Sequence, residues 1–355
     1  MGLAMPVVWS DRHRLHDPRV EIFVGVRTPG TELPERAERI RAALVERGAE
    51  VVEAQPQPDD ALTSVHSQEL IEHLAGVWGE WEAAGLTEDP GQDHVVPYLF
   101  PHPELFSGRE PHRPTAVTAR AGQFAYDTMT LVGPSTWEAA RGALEAALTA
   151  ADLVAAGAPA AYACTRPPGH HATRSAYGGS CYLNNSAAAA ARLRDSGTAP
   201  VAVIDIDAHH GNGTQAIFWD DDDVLTASVH VDPGAGWFPH FLGFEDEHGA
   251  GDSNRNVVMA PGAGDGPWVE AVAGLAGWAR ERGAAALVVP LGVDAAGGDP
   301  ESPLAVSAAG FRAAGRALGA LGLPTVVVQE GGYDLEAIGE LVCEALEGIE
   351  EGLNG

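Results

Sequence analysis

Five short apolar runs, each broken off by a cluster of glycines and polar residues, constrain this chain more than any other feature. The runs are AYACT (161–165), VAVIDI (201–206), VLTASVHV (224–231), AALVVPLGV (285–293) and TVVVQ (325–329). They are continuous rather than alternating, so both faces of each strand must be covered. Helical segments lie between them, at Asn185–Arg194, Pro267–Arg282, Ala308–Leu321 and Leu335–Gly348. Earlier, Pro34–Glu46 reads as an amphipathic helix before a short Val51–Val52 strand. Ser135-Thr136-Trp137-Glu138 places a capping-box pattern ahead of a helix to about Ala156. Strands alternating with helices predict an α/β fold, a parallel sheet flanked by helices on both faces. We expect one domain over 1–355, because sheets of this kind often exceed the usual domain length. The irregular stretch is 86–134, rich in Pro, His and Gly and expected as a long loop insertion. Its Val96, Tyr98, Leu99, Phe100, Leu105 and Phe106 argue against a solvated linker.

The polar clusters each follow a predicted strand directly. They are RPPGHHATRSAYGGSCYLNN (166–185), DIDAHHGNGTQ (205–215), HVDPGAGWF (230–238), DAAGGDP (294–300) and EGGYD (330–334). In open parallel sheets ligands bind outside the carboxyl ends of the strands, so these five loops should meet at one edge. In an extended segment Asp205, Asp207 and His209 share a face. Neighbours two apart stand ~6–7 Å from each other along a strand, close enough for Asp207 and His209 to grip one ion. Two carboxylates and an imidazole suit Zn²⁺ or Fe²⁺ better than a thiolate-seeking metal. A catalytic metal needs three protein ligands and an open position, and Asp294 at another strand end is the natural third. His170 and His171, aimed by the rigid Pro167-Pro168-Gly169 turn, read as general acid–base groups. Tyr333, after Gly331-Gly332 at the same edge, could donate to a developing oxyanion. Other templates fail. No GxSxG occurs, and GNG at 211–213 is too short for a dinucleotide fingerprint. The Ser180-Cys181 pair leaves the nearby histidines unexplained.

Composition excludes whole classes. The chain has 50 Asp and Glu against 21 basic residues, all of them Arg, for a formal charge of −29. Without lysine there is no Schiff base, P-loop or kinase-type lysine. Such a negative field repels phosphate backbones and attracts small cations, so nucleic acid is not expected as a partner. A solubility bias or a salty habitat would produce the same charge. The odd count of three cysteines, without a CxxC, argues against a disulfide framework and for a reducing cytoplasm. No apolar stretch reaches signal-peptide or membrane-span length, so no membrane is expected.

With these residues in place, the chain resembles the histone deacetylase superfamily, on the arginase–deacetylase fold. Within it the chain is most similar to the bacterial class II-like acetylpolyamine amidohydrolases and histone deacetylase-like amidohydrolases. The resemblance rests on RPPGHH (166–171), CYLNN (181–185), DIDAHHGNGTQ (205–215), SVHVDP (228–233), LGVDAAGGDP (291–300) and QEGGYD (329–334), and covers about residues 15–350. It implies a zinc-dependent deacetylase, with Fe²⁺ or Co²⁺ as alternative ions, held by Asp207, His209 and Asp294. It implies His171 as general base and then acid, with Asn212 behind it and Asp205 orienting His170. Many relatives carry Asp at the position of Asn212, and Asn stabilises an imidazolium less, so His171 should have the lower pKa of the two. Tyr333 would polarise the carbonyl, and Asp299 would support the metal site from behind. Structural K⁺ or Na⁺ would sit at Asp205, Asp207, His209 and Ser228, and a second at Phe218, Asp221 and Val224. Gly179, Ser180, Phe238, Trp237 and Gly332 would line the substrate tunnel, and Asp127 would anchor a substrate amide or amine. Ser180 stands where the family usually places an aromatic wall. The 86–134 insertion would narrow the entrance and form a homodimer. The implied substrate is a small cationic acylated amine. Acyl-lysine in proteins and a non-catalytic metal-containing ligand-binding protein are the alternatives. Arginase-like hydrolysis would need ligands for a second metal.

Overall fold

A computed structural model describes residues 2–89 and 91–355. Eight strands form one all-parallel sheet. They are β1 (Val7–Trp9), β4 (Val51–Glu53), β5 (Ala160–Ala163), β6 (Val201–Asp205), β7 (Val224–Val231), β8 (Asn254–Met259), β9 (Ala286–Leu291) and β10 (Thr325–Gln329). Their order is β4-β1-β5-β10-β9-β6-β7-β8. The five expected strands are present, three of them (β5, β6 and β9) shorter than their apolar runs or shifted by a residue, and β7 and β10 at the expected bounds. β1 and β8 were not expected, because three residues of VVW and the polar NRNVVM carry too little apolar signal. A two-stranded antiparallel hairpin, β2 (Val20–Phe23) and β3 (Val26–Pro29), stands apart from the sheet. Its two turn residues, Val24 and Gly25, both have positive φ (49° and 76°), the turn that matches strand twist.

Side chains on successive strand residues enter opposite cores. In β6, Val201 and Val203 join one apolar cluster while Ala202 and Ile204 join the other. In β10, Val326 and Val328 face one way and Val327 the other. Each such side chain contributes ~1.5–3 kcal/mol on burial. Helices α3 (Gln68–Ala83), α5 (Thr136–Ala155) and α6 (Asn185–Asp195) cover one face. Helices α1 (Pro34–Glu46), α8 (Asp265–Glu281), α9 (Ala308–Gly319) and α10 (Ile338–Asn354) cover the other. The short α2 (Asp60–Thr63), α4 (Val117–Phe124) and α7 (Asn212–Phe218) complete the chain.

Three expectations need correction. The last helix begins at Ile338 rather than Leu335 and runs on to Asn354, because residues 330–337 are drawn into the strand-end turn. Ser135 makes no side-chain cap; instead Thr136 Oγ1 accepts from Gly133 N at 2.8 Å and pairs with His16 at 3.1 Å. The 86–134 stretch is not a continuous loop. Val95 and Val132 bridge its ends, and Val117 and Phe124 of α4 enter the core. The protruding part is 98–106, where Tyr98, Leu99, Phe100 and Leu105 are exposed.

Candidate active site

The strand ends deliver the expected residues to one place. β6 stops at Asp205, and the chain bends through Asp207 and His209. Asp294 arrives from the end of β9. Ligand atoms of Asp207, His209 and Asp294 lie within 4.8 Å of one another. His209 Nδ1 stands 3.1 Å from Asp294 Oδ2 and 3.4 Å from Asp207 Oδ1. The carboxylates are aimed from behind by backbone donors: Gly331 N to Asp207 Oδ2 at 2.7 Å, Ala208 N to Asp294 Oδ1 at 2.9 Å. Gly331 is required here, since a Cβ at that position would lie against both carboxylates. Burial and the neighbouring Asp207 carboxylate push Asp294 up to about 7. Two buried carboxylates and one imidazole leave the cluster short of positive charge, which a divalent cation supplies. The donor set and its spacing therefore fit a metal.

His170 and His171 lie side by side, ring centroids 4.0 Å apart and planes tilted by 40°. His170 Nδ1 pairs with Asp205 Oδ2 at 2.9 Å, and His171 Nδ1 with Asn212 Oδ1 at 2.7 Å. Burial opposes charge on His170, yet Asp207 and Asp205 together push it up to about 10. Burial, with the charges of His170 and His209, holds His171 well below the usual imidazole range. The order is the one expected from Asn212 against Asp205; burial lowers both rings alike, and the difference comes from the carboxylates beside His170 against the imidazoles beside His171. The backbone entering the pair is held by buried Glu330, an anchor set by long-range contacts rather than by a local pattern. Its Oε2 accepts from Gly169 N at 2.6 Å and His170 N at 3.1 Å, and its Oε1 from Ser186 at 2.7 Å.

Tyr333 reaches the same cavity, with His171 and His209 beside it. Its loop is held by Asp299 Oδ2, which accepts from Tyr333 N at 2.7 Å and Asp334 N at 3.2 Å. Asp299 thus supports the tyrosine rather than the metal ligands. Beneath the phenol ring the buried Arg36 guanidinium lies 4.5 Å from the centroid. Arg36 also donates to Gly332 O at 2.5 Å and Glu330 O at 2.6 Å. Burial pushes the Tyr333 phenol well above its ordinary value, so it stays protonated, while Arg36 pulls the other way.

The catalytic cavity has a volume of about 250 Å³. Its floor is His171, His209 and Tyr333; Phe238 and the Gly179-Ser180 turn form its sides; Glu21, Phe23 and Glu301 line its outer part. Phe238 stands edge-on to His171 at 4.7 Å and parallel to Tyr126 at 6.1 Å. Two expected lining residues lie elsewhere. Trp237 packs against the core on the α1, α8, α9 and α10 side of the sheet, and buried Gly332 shapes the turn while its carbonyl holds Arg36. Asp127 lines the adjoining pocket with Phe23, Tyr126 and Phe238, its carboxylate accepting from Met129 N, Thr130 N, Thr130 Oγ1 and Gly179 N at 2.6–3.1 Å. It builds the Gly179 turn.

Glu21 and Glu301 were not foreseen. Glu21 shares a face of β2 with Phe23, two residues on, and both turn into the cavity. Glu301 follows the Asp299-Pro300 turn and accepts from Thr31 Oγ1 at 2.7 Å. Burial and the Glu301 charge push Glu21 up to about 7. The hairpin signal was legible in VEIFVGVRTP, a Gly-containing two-residue loop between β-rich runs, but the pairing of Glu21 with Glu301 is long-range.

Of the cation positions, Asp205 and Ser228 are direct partners across β6 and β7. Ser228 Oγ lies 2.8 Å from His230 Nδ1. Phe218 ends α7 and Val224 opens β7; in the turn between them Asp221 N donates to Phe218 O at 3.0 Å, and the Asp221 carboxylate pairs with Arg194 at 2.5 Å.

The histone deacetylase domain model matches residues 31–349. The chain is 38% identical over 349 residues to acetylpolyamine amidohydrolase of Mycoplana ramosa, covering 97% of this chain and 99% of that protein. It is 42% identical over 331 residues to acetylpolyamine amidohydrolase of Burkholderia pseudomallei (strain 1710b), covering 91% and 92%. The crystal structure of acetylpolyamine aminohydrolase from Burkholderia pseudomallei (iodide soak) superposes with a TM-score of 0.91 at 39% identity, covering 98% of this chain and 99% of that one.

Proposed function

The chain belongs to the histone deacetylase family and is a hydrolase acting on amide bonds, and from that premise we propose that it deacylates small cationic amines such as acetylpolyamines with a divalent metal, Zn²⁺, at Asp207, His209 and Asp294. Fe²⁺ or Co²⁺ would satisfy the same donors. The carrying observation is the meeting of that donor set with His171 and Tyr333 on one cavity floor. When bound, the ion would activate water and polarise the acyl carbonyl.

The chain's own residues then have defined tasks. Asn212 Oδ1 accepts from His171 Nδ1, which leaves the Nε2 lone pair free to take a proton from the attacking water. His170, locked to Asp205, remains in place beside it. The Tyr333 hydroxyl donates to the oxygen that gains charge as the carbonyl becomes tetrahedral. His171 then returns its proton to the leaving nitrogen. Outside the floor, Glu21 and Glu301 supply two carboxylates for the ammonium of a short amine. No arginine lines this cavity to offset them. That pairing favours a cationic small amine over acyl-lysine of a protein, whose far side is peptide backbone.

The remaining partners follow the same reading. Monovalent K⁺ or Na⁺ belongs at Asp205, Asp207, His209 and Ser228, and at Phe218, Asp221 and Val224. Two copies associate through the exposed apolar surface of 98–106, with Phe23 and the 87%-exposed Phe241 at its margin. Among the described residues no helix is long and apolar enough to cross a membrane. Three free, buried cysteines suit a cytoplasmic setting.

Dialysis against a chelator, then titration with Zn²⁺, tests the central assignment. One equivalent should restore hydrolysis of N-acetylputrescine. Asp294→Asn should bind Zn²⁺ at least ~10-fold more weakly. Undiminished hydrolysis after metal removal would refute it.

A further inference from the structure

The His171–Asn212 pair admits two self-consistent arrangements. An amide presents an oxygen on one side and an NH₂ on the other, and a neutral imidazole carries its proton on either nitrogen. In one arrangement His171 Nδ1–H donates to Asn212 Oδ1 and Nε2 keeps its lone pair. In the other the amide is turned over, Nδ2–H donates to a bare Nδ1, and the proton sits on Nε2, where it leaves no base. The pair cannot choose between these by itself. Both side chains are buried, so bulk water does not choose for it.

Tyr126 breaks the tie. Its hydroxyl donates to His171 O at 2.8 Å, so its proton is taken and only lone pairs face Asn212. Asn212 Nδ2 donates to that oxygen at 3.5 Å and has no other acceptor among the described residues. This bond is long, and it acts by sign more than by strength. With the amide turned over, Oδ1 would meet the phenol oxygen, or the phenol would have to release His171 O. Burial pushes the phenol well above its ordinary value, so its proton stays. The tyrosine is itself held. Its N donates to Tyr177 O at 3.1 Å, and its ring lies parallel to Phe238 with centroids 6.1 Å apart. Gly178 makes room for it, because a Cβ there would enter the phenol ring.

From this geometry we infer that Tyr126 is a positioning residue: it sets the orientation of the Asn212 amide and, through it, keeps the His171 proton on Nδ1. The effect on rate rests on the deacylase reading, in which His171 Nε2 is the base; the tautomer does not.

The first readout is therefore the tautomer. In zinc-loaded protein with ¹⁵N-labelled histidine at pH 8, the ring signals that vanish in His171→Gln belong to His171. The unaltered protein should show one set, with Nδ1 protonated and Nε2 bare. Tyr126→Phe keeps the ring and removes the hydroxyl. A second set with Nε2 protonated should then appear, and kcat on N-acetylputrescine should fall ~2–10-fold with KM held. Asn212→Asp supplies the control, because the two oxygens of a carboxylate are alike and leave nothing to orient. In that background Tyr126→Phe should move no tautomer and change kcat by less than ~1.5-fold. An equal loss in the two backgrounds means packing alone and overturns the inference. So does a single Nδ1–H set in Tyr126→Phe, or Nε2 protonated in the unaltered protein. If the unaltered protein hydrolyses no acylated amine while the tautomers shift as stated, the deacylase reading falls and the role of Tyr126 stands.

Discussion

In the proposed mechanism Tyr333 serves the reacting carbonyl and Glu21 the substrate ammonium, and each role can be tested singly. Removing an oxyanion donor costs ~10²–10³ in kcat, and Tyr333→Phe should do so with little change in KM. The backbone hold of Asp299 on Tyr333 N keeps the turn in place in that variant, so the loss reports the hydroxyl. Full activity would remove Tyr333 from the mechanism. Glu21 is neutral below its raised pKa of about 7 and charged above it. Glu301 faces it across the cavity, Asp127 adds a further negative charge, and Thr28 Oγ1 donates weakly at 3.4 Å. The KM for N-acetylputrescine should therefore fall as pH rises from 6 to 8, while that for N-acetylbutylamine stays flat. Glu21→Gln should raise the first KM by ~10-fold and abolish its pH dependence. The same raised pKa works against folding. The unfolded carboxyl ionises first, so this group's contribution to stability declines as pH climbs from 4.5 through 7.

The strand-end turns translate sequence into site, and here the sequence was most legible. Asp207, His209, Asp294, the paired histidines and Tyr333 are local readings: each follows its own apolar run, and parallel topology alone brings the ends together. Trp237 and Gly332 lie outside the cavity because a side chain's direction within a loop depends on partners far along the chain. Asp127 shows the same dependence: its carboxylate is fixed by Gly179 N, 52 residues on. Glu21, Arg36 and Glu330 were missed for the same reason. Two glycine substitutions test the element scale. Gly331→Ala puts a Cβ 2.6 Å from Asp207 Oδ2 and should weaken Zn²⁺ binding by ~10–100-fold in a chelator competition. Gly315 of α9 lies where a Cβ would strike Ala345 O of α10. Gly315→Ala should cost ~1–3 kcal/mol by chemical denaturation and leave kcat at 25 °C unchanged.

At the scale of the whole molecule, the parallel sheet carries the metal-donor cluster, and the proposed specificity elements sit on pieces added to it. The hairpin brings Glu21 and Phe23, and the 86–134 segment places exposed aromatics beside them. Sedimentation should show a dimer that Phe100→Glu with Phe241→Glu converts to monomer; a monomeric parent would contradict the proposed contact. The net charge of −29 should make kcat/KM for cationic substrates fall with added salt. The most direct measurement is kcat/KM of the zinc-loaded protein on N-acetylputrescine against an acetyl-lysine peptide. A preference for the small amine well above tenfold is the expected result. A preference for the peptide would make this a protein deacylase and strip Glu21 and Glu301 of their assigned role.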